Sequence, residues 1–371
     1  MPTSPTSSPS IQDIDSNFQT NRGVIGPDGL SWVDANTLTV EGFGWPDESE
    51  PYSRFPNRSE GLLREEMWRL SRFSAGMVVR FLTDAASLAV RWSLLKPVLA
   101  MAHMPAAGVS GVDLYIRDPQ SGRIRWAGAA RPETTRQNYA MLLENQPRQM
   151  REYFLYLPLY NGVTQLELGT DPQAAITPAL PREGKPLCFY GASILQGACA
   201  SRSGMSLTAL LGRQLERAVW NFGFSGNSHA EPEVAHLLAE LDPALTVIGP
   251  APSLKEEFAL SRLETFFGIL RQAHPQTPVV FVSNAVYQDA WTSPLRFEPT
   301  QRANAAMQAV FHKLQSQHAD VHFIDGTIML GDDGEAAVDG THPTDVGFLR
   351  MAQALAPQLQ EILSKGPEKN L

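Results

Sequence analysis

Leu187-Cys188-Phe189-Tyr190-Gly191-Ala192-Ser193-Ile194-Leu195-Gln196-Gly197 is an apolar run that ends in a serine flanked by glycines. Four apolar residues with no polar alternation read as a strand covered on both faces. Gly191 and Gly197 let the chain bend sharply where that strand stops, leaving the Ser193 hydroxyl and amide open to a ligand. Working downstream, strands are predicted over 218–224, 245–251, 278–283 and 321–325, with helical periods between and after them, one starting at Met205. Val234, Leu237, Leu238 and Leu241 mark one helix face. Val346, Leu349, Leu355, Leu359 and Ile362 mark another, interrupted by Pro357. Strand and helix in alternation predict a doubly wound, flavodoxin-like α/β domain of about five parallel strands, with ligands bound beyond their carboxyl ends.

Upstream the period changes. Short alternating or apolar runs over 38–43, 77–82, 87–94, 112–117, 124–130 and 152–159, punctuated by Gly, Pro and Asp, predict an antiparallel β-sandwich without convincing helices. The resulting division is a disordered tail over 1–20, a sandwich over 21–181, a linker over 182–186, the α/β domain over 187–365 and a second tail over 366–371. A chain of 371 residues exceeds what one core fills, and 43% hydrophobic content is ample for two.

The net charge of −9 offers no basic footprint for nucleic acid or anionic lipid. Two cysteines, Cys188 and Cys199, make neither a disulfide framework nor a metal-binding cluster, and nothing calls for a metal or a cofactor. The first sixteen residues lack the charged and apolar regions of a signal peptide, and no run is long enough to span a bilayer, so a cytoplasmic protein is expected.

Asp339-Gly340-Thr341-His342-Pro343 follows the last predicted strand. A carboxylate three residues before an imidazole can hold its tautomer while the other ring nitrogen faces Ser193, the minimum kit for nucleophilic acyl chemistry. The plainer reading makes the Ser193 turn mere punctuation and Asp339 an Asx-turn, with His342 solvating the loop. The other histidines, His236 and His312 among them, have no such acid nearby and read as surface or packing residues. Donors for an oxyanion would come from the turns after the next two strands, the Gly226 amide within Asn221-Phe-Gly-Phe-Ser-Gly226-Asn227 and the Gly249-Pro250-Ala251-Pro252-Ser253 segment.

This set resembles the SGNH, or GDSL-like, hydrolases: Ser193 matches their first block, Gly226 their second, and Asp339 with His342 their last. Gly111-Val112-Asp113-Leu114-Tyr115 is similar to the signature of the GxDLY domain, a β-sandwich that precedes the catalytic domain in one bacterial subfamily. Trp68-Arg-Leu-Ser-Arg72, Tyr156-Leu-Pro-Leu-Tyr160-Asn-Gly162, Cys199-Ala-Ser-Arg202 and Phe222-Gly-Phe-Ser-Gly-Asn227 are also similar to it. The resemblance implies a serine acyl-ester hydrolase acting through an acyl-enzyme on a small sugar-linked ester. His342 would be the base, Asp339 its orienter, and the amides of Ser193 and Gly226, with Ser253, the oxyanion donors. An acyltransferase that passes the acyl group to a sugar hydroxyl is the alternative, and a non-catalytic carbohydrate-binding protein the third reading. Two positions depart from the pattern. Ala192 replaces the Asp of GDS, and Ser253 replaces an asparagine that supplies an oxyanion donor; Ser253 would then act directly or through water, or Asn227 would swing in. Asn227, His103 and Met104 are expected at the substrate, the last two from the apolar loop Ala100-Met-Ala-His103-Met104-Pro105 reaching over from the sandwich. Trp92 and Trp126 are expected to fill the sandwich interior.

Overall fold

The computed structural model describes residues 23–366, so the tail expected over 1–20 lies outside it, as does all but Gly366 of the one expected over 366–371. Eleven antiparallel strands come first: β1 (Val24–Ile25), β2 (Ser31–Asp34), β3 (Thr39–Glu41), β4 (Val78–Thr83), β5 (Leu88–Leu94), β6 (Val112–Arg117), β7 (Ile124–Ala130), β8 (Asn138–Leu143), β9 (Arg151–Tyr156), β10 (Val163–Thr170) and β11 (Ile176–Pro178). One sheet runs β1-β2-β10-β5-β8 and the other β11-β4-β9-β6-β7, with β3 paired to β4. Two helices interrupt this half, α1 (Glu65–Ser71) and α2 (Ala106–Val109). The sequence reading missed α1 because its seven residues bury only Met67, Leu70 and Ser71, too short a stripe to register as a period.

The sheets close on a core of Val90, Trp92, Leu166 and Leu168 from one side and Val79, Phe81, Leu114, Tyr153 and Leu155 from the other. In β9 the run from Tyr153 to Tyr156 is buried without alternation. Its second face is covered too: Phe154 and Tyr156 pack with Val78, Tyr115 and Ala209 of the α/β half. Trp126 does not join the core. It is 54% exposed on β7 and donates through Nε1 to Asp113 at 2.9 Å, because its register on the pleat turns it outward.

The second half is a parallel sheet of β12 (Leu187–Gly191), β13 (Val219–Gly223), β14 (Leu245–Ile248), β15 (Val279–Val282) and β16 (Val321–Ile324), in the order β13-β12-β14-β15-β16. The helices are α3 (Ser193–Gln196), α4 (Leu207–Gln214), α5 (Pro232–Ala239), α6 (Glu256–Ala273), α7 (Pro294–Gln315) and α8 (Asp345–Lys365). One face of the sheet packs on α5, α6 and α7, the other on α4 and α8. The helix expected from Met205 splits into a 3-10 turn over Ser203–Met205 and α4. Helix α8 runs unbroken through Pro357, since burial of Leu355 and Leu359 on either side outweighs one missing N–H. Its buried face is Phe348, Met351, Ala352, Leu355 and Leu359, whereas Val346 and Leu349, expected there, are exposed. At 3.6 residues per turn Val346 falls about 180° and Leu349 about 120° from Leu355 around the helix.

Polar contacts lock the halves together. Arg182 is tied to Glu41 at 3.1 Å and donates to the carbonyls of Gly212 and Arg217, both at 2.7 Å, so the chain leaves the sandwich on a fixed path. Asp113 of the Gly111–Tyr115 motif is fully buried and accepts from Arg202 and from the Gly204 N–H, both at 2.8 Å. Two stretches of sequence read separately, Gly111–Tyr115 and Cys199–Arg202, are thus the two sides of one latch. No helix among the described residues is long and apolar enough to cross a membrane.

Candidate active site

Strand β12 lies between β13 and β14, and the chain crosses over it on the way from one to the other, which makes its carboxyl end the topological switch point. Ser193 opens α3 there, with its side chain almost out of solvent. Its hydroxyl lies 2.9 Å from Nε2 of His342, and Nδ1 of His342 lies 2.7 Å from Oδ2 of Asp339. The other Asp339 oxygen accepts from the backbone N–H groups of Thr341 at 3.0 Å and His342 at 2.8 Å, so the Asx-turn and the imidazole orienter are the same residue. Burial pushes the Asp339 carboxyl up, but the His342 N–H, the His342 ring and the Thr341 N–H outweigh it and hold the group at about 2. An ionised Asp339 keeps the proton on Nδ1 and leaves Nε2 to accept from Ser193.

The turns on either side of Ser193 are positioned by backbone contacts. Gly223, at the end of β13, lies so close to α3 that a Cβ there would sit 2.2 Å from the Gln196 nitrogen. Phe224 N–H donates to the Gly191 carbonyl at 2.9 Å, and Ser225 N–H to Oε1 of the buried Gln196 at 2.9 Å. Gly226 follows with φ 70°, a left-handed value suited to glycine, and neither its N–H nor that of Ser193 meets a protein acceptor among the described residues. From the β14 side, the Ser253 hydroxyl accepts from the Ser228 N–H at 3.3 Å. His103 brings the sandwich to the rim, its ring centroid 6.5 Å from that of His342.

Comparisons with known proteins give the family of the chain. The pattern of the GDSL-like lipase/acylhydrolase family matches residues 184–360, and that of the domain found at the N-terminus of SGNH-hydrolase-type esterases matches residues 30–176. A structure from Bacteroides ovatus ATCC 8483, assigned as a GDSL-like lipase, is 30% identical, with a TM-score of 0.86 over 90% of this chain and 98% of its own. The chain belongs to the GDSL-like lipase/acylhydrolase family. This GDSL-like protein is therefore an enzyme of serine-type ester chemistry. Its fold is shared by the salicylyl-acyltransferase SsfX3 of a tetracycline biosynthetic pathway, 18% identical with a TM-score of 0.72 over 91% of this chain and 98% of that one. A family two carbohydrate esterase from Cellvibrio japonicus, 13% identical, scores 0.59 over 90% and 98%. No curated protein matches the sequence.

Within this GDSL-like enzyme the expected residues do not all converge. Ser193, His342, Asp339, Gly226, Ser253 and His103 gather at one rim. Met104 does not: it is 2% exposed and belongs to the core cluster that includes Ile194, Leu195 and Ala198, because the hairpin-like contact between Met101 and Met104 turns it inward while His103 stays out. Asn227 is held, its Oδ1 accepting from Arg64 at 2.8 Å and its Nδ2 donating to the Ser225 carbonyl at 2.8 Å, so it is not a free arm that swings toward the oxyanion. Cys199, in the loop after α3, is free, and burial, reinforced by the nearby Asp339 charge, pushes its thiol up to about 12, leaving it no competitor to the serine.

Four supporting groups escaped the sequence reading. Gln196 joins the second-block turn to the sandwich, its Nε2 donating to the Leu159 carbonyl at 3.1 Å. Asp345 accepts from Ser201 N–H at 2.9 Å, clamping the start of α8 to the loop beyond the nucleophile. Arg296 donates to the Asp339 carbonyl at 3.0 Å and the Thr341 hydroxyl at 3.2 Å, while Gln288 N–H donates to the Gly340 carbonyl at 2.8 Å. Only Gln196 carried a signal, as a polar residue inside an otherwise apolar turn.

Proposed function

We propose that the enzyme hydrolyses acyl esters of carbohydrates or glycosides through an acyl-enzyme on Ser193. The observation that carries this reading is the unbroken hydrogen-bond chain from Ser193 through His342 to Asp339. His342 Nε2 takes the Ser193 proton as the oxygen attacks the carbonyl carbon, and the Ser193 and Gly226 N–H groups stabilise the charge on the carbonyl oxygen. His342 then returns the proton to the departing sugar hydroxyl, and water completes the cycle by the reverse path. Ser253 takes the position of the family's asparagine; anchored to Ser228, it offers its own proton to the oxyanion with less reach than an amide. The sugar as leaving group is supported by the family two carbohydrate esterase from Cellvibrio japonicus and by an acetyl xylan esterase, Est2A, from Butyrivibrio proteoclasticus, among the proteins of this fold.

The purified enzyme is expected to hydrolyse p-nitrophenyl acetate, to release acetate from acetylated xylo-oligosaccharides, and to be labelled at Ser193 by an organophosphonate. Ser193→Ala should lose all three. Hydrolysis that survives in Ser193→Ala sinks the mechanism, and acetate release from the model ester alone sinks the sugar assignment. The fold of the salicylyl-acyltransferase supports a second reading, transfer of the acyl group to a sugar hydroxyl. Product analysis with a thioester donor and a sugar acceptor separates the two, since a transferase yields the acylated sugar where a hydrolase yields free acid.

A further inference from the structure

The sandwich carries a second cleft, of about 380 Å³, on the outer face of the β1-β2-β10-β5-β8 sheet. The opposite sheet is the one that packs on α4, so this cleft faces away from the catalytic half. Strand register builds it. Val90, Trp92, Leu166 and Leu168 take the inside, which turns Arg91, Ser93, Gln165 and Glu167 outward. Glu167, Arg91 and Tyr139 stand directly across from one another on β10, β5 and β8, and Gln165 pairs with Ser93 in the next row, whose hydroxyl accepts from the Gln137 N–H at 3.2 Å. The lining is rigid beneath: Asn138 is buried, accepting from the Glu133 and Thr134 N–H groups at 2.9 and 3.0 Å and donating to the Trp92 and Thr134 carbonyls at 3.3 and 2.9 Å.

Some side chains at the opening are spent on protein partners, among them Ser93, which donates to Gln165 Oε1 at 3.4 Å, and others are not. Arg91 is drawn off to Asp28 at 2.6 Å and stacks 3.7 Å over the Trp32 ring, and so does not neutralise Glu167 opposite it. Glu167 has no hydrogen-bond or ion-pair partner among the described residues, nor does the Gln137 amide. Tyr139 presents a ring that is 50% exposed. One free amide that donates and accepts, one free carboxylate and a half-exposed aromatic ring fit a neutral polyhydroxylated ring, with hydroxyls to the polar groups and apolar C–H edges on the tyrosine. An anion would meet the Glu167 charge, and a metal ion would find a single carboxylate. The volume falls at the lower end of the roughly 300–1,000 Å³ of small-molecule sites.

We propose that this cleft is a saccharide-binding site separate from the ester site, one that holds a neutral carbohydrate on the side of the sandwich remote from Ser193. The inference rests on the cleft's own chemistry and not on the ester reading. Full-length Ser193→Ala, screened on an array of neutral oligosaccharides and then titrated calorimetrically, is expected to bind at least one of them. Adding Tyr139→Ala or Glu167→Gln should weaken that binding about tenfold or more, and Tyr139→Trp should preserve it. In the Ser193 background, the same Tyr139 and Glu167 changes should leave p-nitrophenyl acetate hydrolysis at the parent rate, because they lie in the other half of the molecule. An array on which no neutral glycan is retained overturns the proposal, as does binding that both cleft variants leave unchanged. Failure of ester hydrolysis in the parent would count only against the reaction proposed above.

Discussion

Asp339 works twice at the scale of one residue, as a turn-forming acceptor for two backbone N–H groups and as the acceptor that orients His342. Asp339→Asn should separate the two roles. The amide oxygen can keep the backbone contacts while its NH₂ faces Nδ1 and enforces the wrong tautomer, so kcat should fall on the order of 10⁴-fold with little change in KM. A loss below tenfold would show that His342 does not depend on this carboxylate. The carboxyl also sets a pH signature. Held at about 2 against an ordinary 3.8, it contributes stability that is full above its ordinary range and is lost as pH falls toward 2. Denaturant midpoints measured between about pH 4 and pH 2 should therefore drop more steeply for the wild type than for Asp339→Asn. At this scale spacing picked out the pair that the structure brings together, because Asp339 and His342 share a turn. They failed for Met104 and Trp126, whose directions depend on a local hairpin contact and on pleat register.

At the scale of an element, the turn after β13 that carries Gly226 owes its place to α3, a helix of four residues. Gln196 accepts from Ser225 N–H and donates to Leu159, and Gly223 allows the close approach. Gln196→Leu would leave the part-buried Ser225 N–H and the buried Leu159 carbonyl without these partners, the carbonyl alone at about 1–3 kcal/mol. The expected result is a lower denaturant midpoint together with a fall in kcat, since the Gly226 amide loses its fixed position while Ser193, His342 and Asp339 stay in register. Phosphonate labelling of Ser193 that continues while acetate turnover drops would separate this positioning role from general unfolding. Strand and helix alternation was legible from apolar runs, and β6 and β7 were placed without error. Helix α8 was placed, with Leu355 and Leu359 on its inward face as expected, but Val346 and Leu349 are apolar yet lie away from the sheet.

For the whole molecule, the two halves share buried polar links as well as apolar packing. The Arg54 guanidinium is buried, donating to the Phe73 and Leu70 carbonyls on one side and the Asn221 and Gly223 carbonyls on the other, and lying 4.5 Å over the Phe224 ring. Arg54→Met would fill much of the volume and strand those carbonyls, so we expect a loss of at least about 3 kcal/mol, with calorimetric unfolding splitting from one transition toward two. A single transition at the wild-type temperature would show that the halves are joined by apolar packing alone. Arg54 gave no signal in the sequence: an isolated arginine between Ser53 and Phe55 reads as a surface residue until the fold surrounds it with carbonyls.

The linear order of residues by itself determined the two-part architecture, the parallel sheet after Leu187 and the identity of the serine, histidine and aspartate, because period and turn chemistry are local properties. Tertiary structure alone decided which of these groups meet. Ser193 and His342 are 149 positions apart, and only the placing of β12 beside β13 and β14, with the α8 loop folded back across their ends, brings them to 2.9 Å. The same holds for the buried Arg54, the latch between Asp113 and Arg202, and the Glu167–Tyr139 cleft. Each is made by strand register and inter-domain packing, which depend on residues distant in the chain.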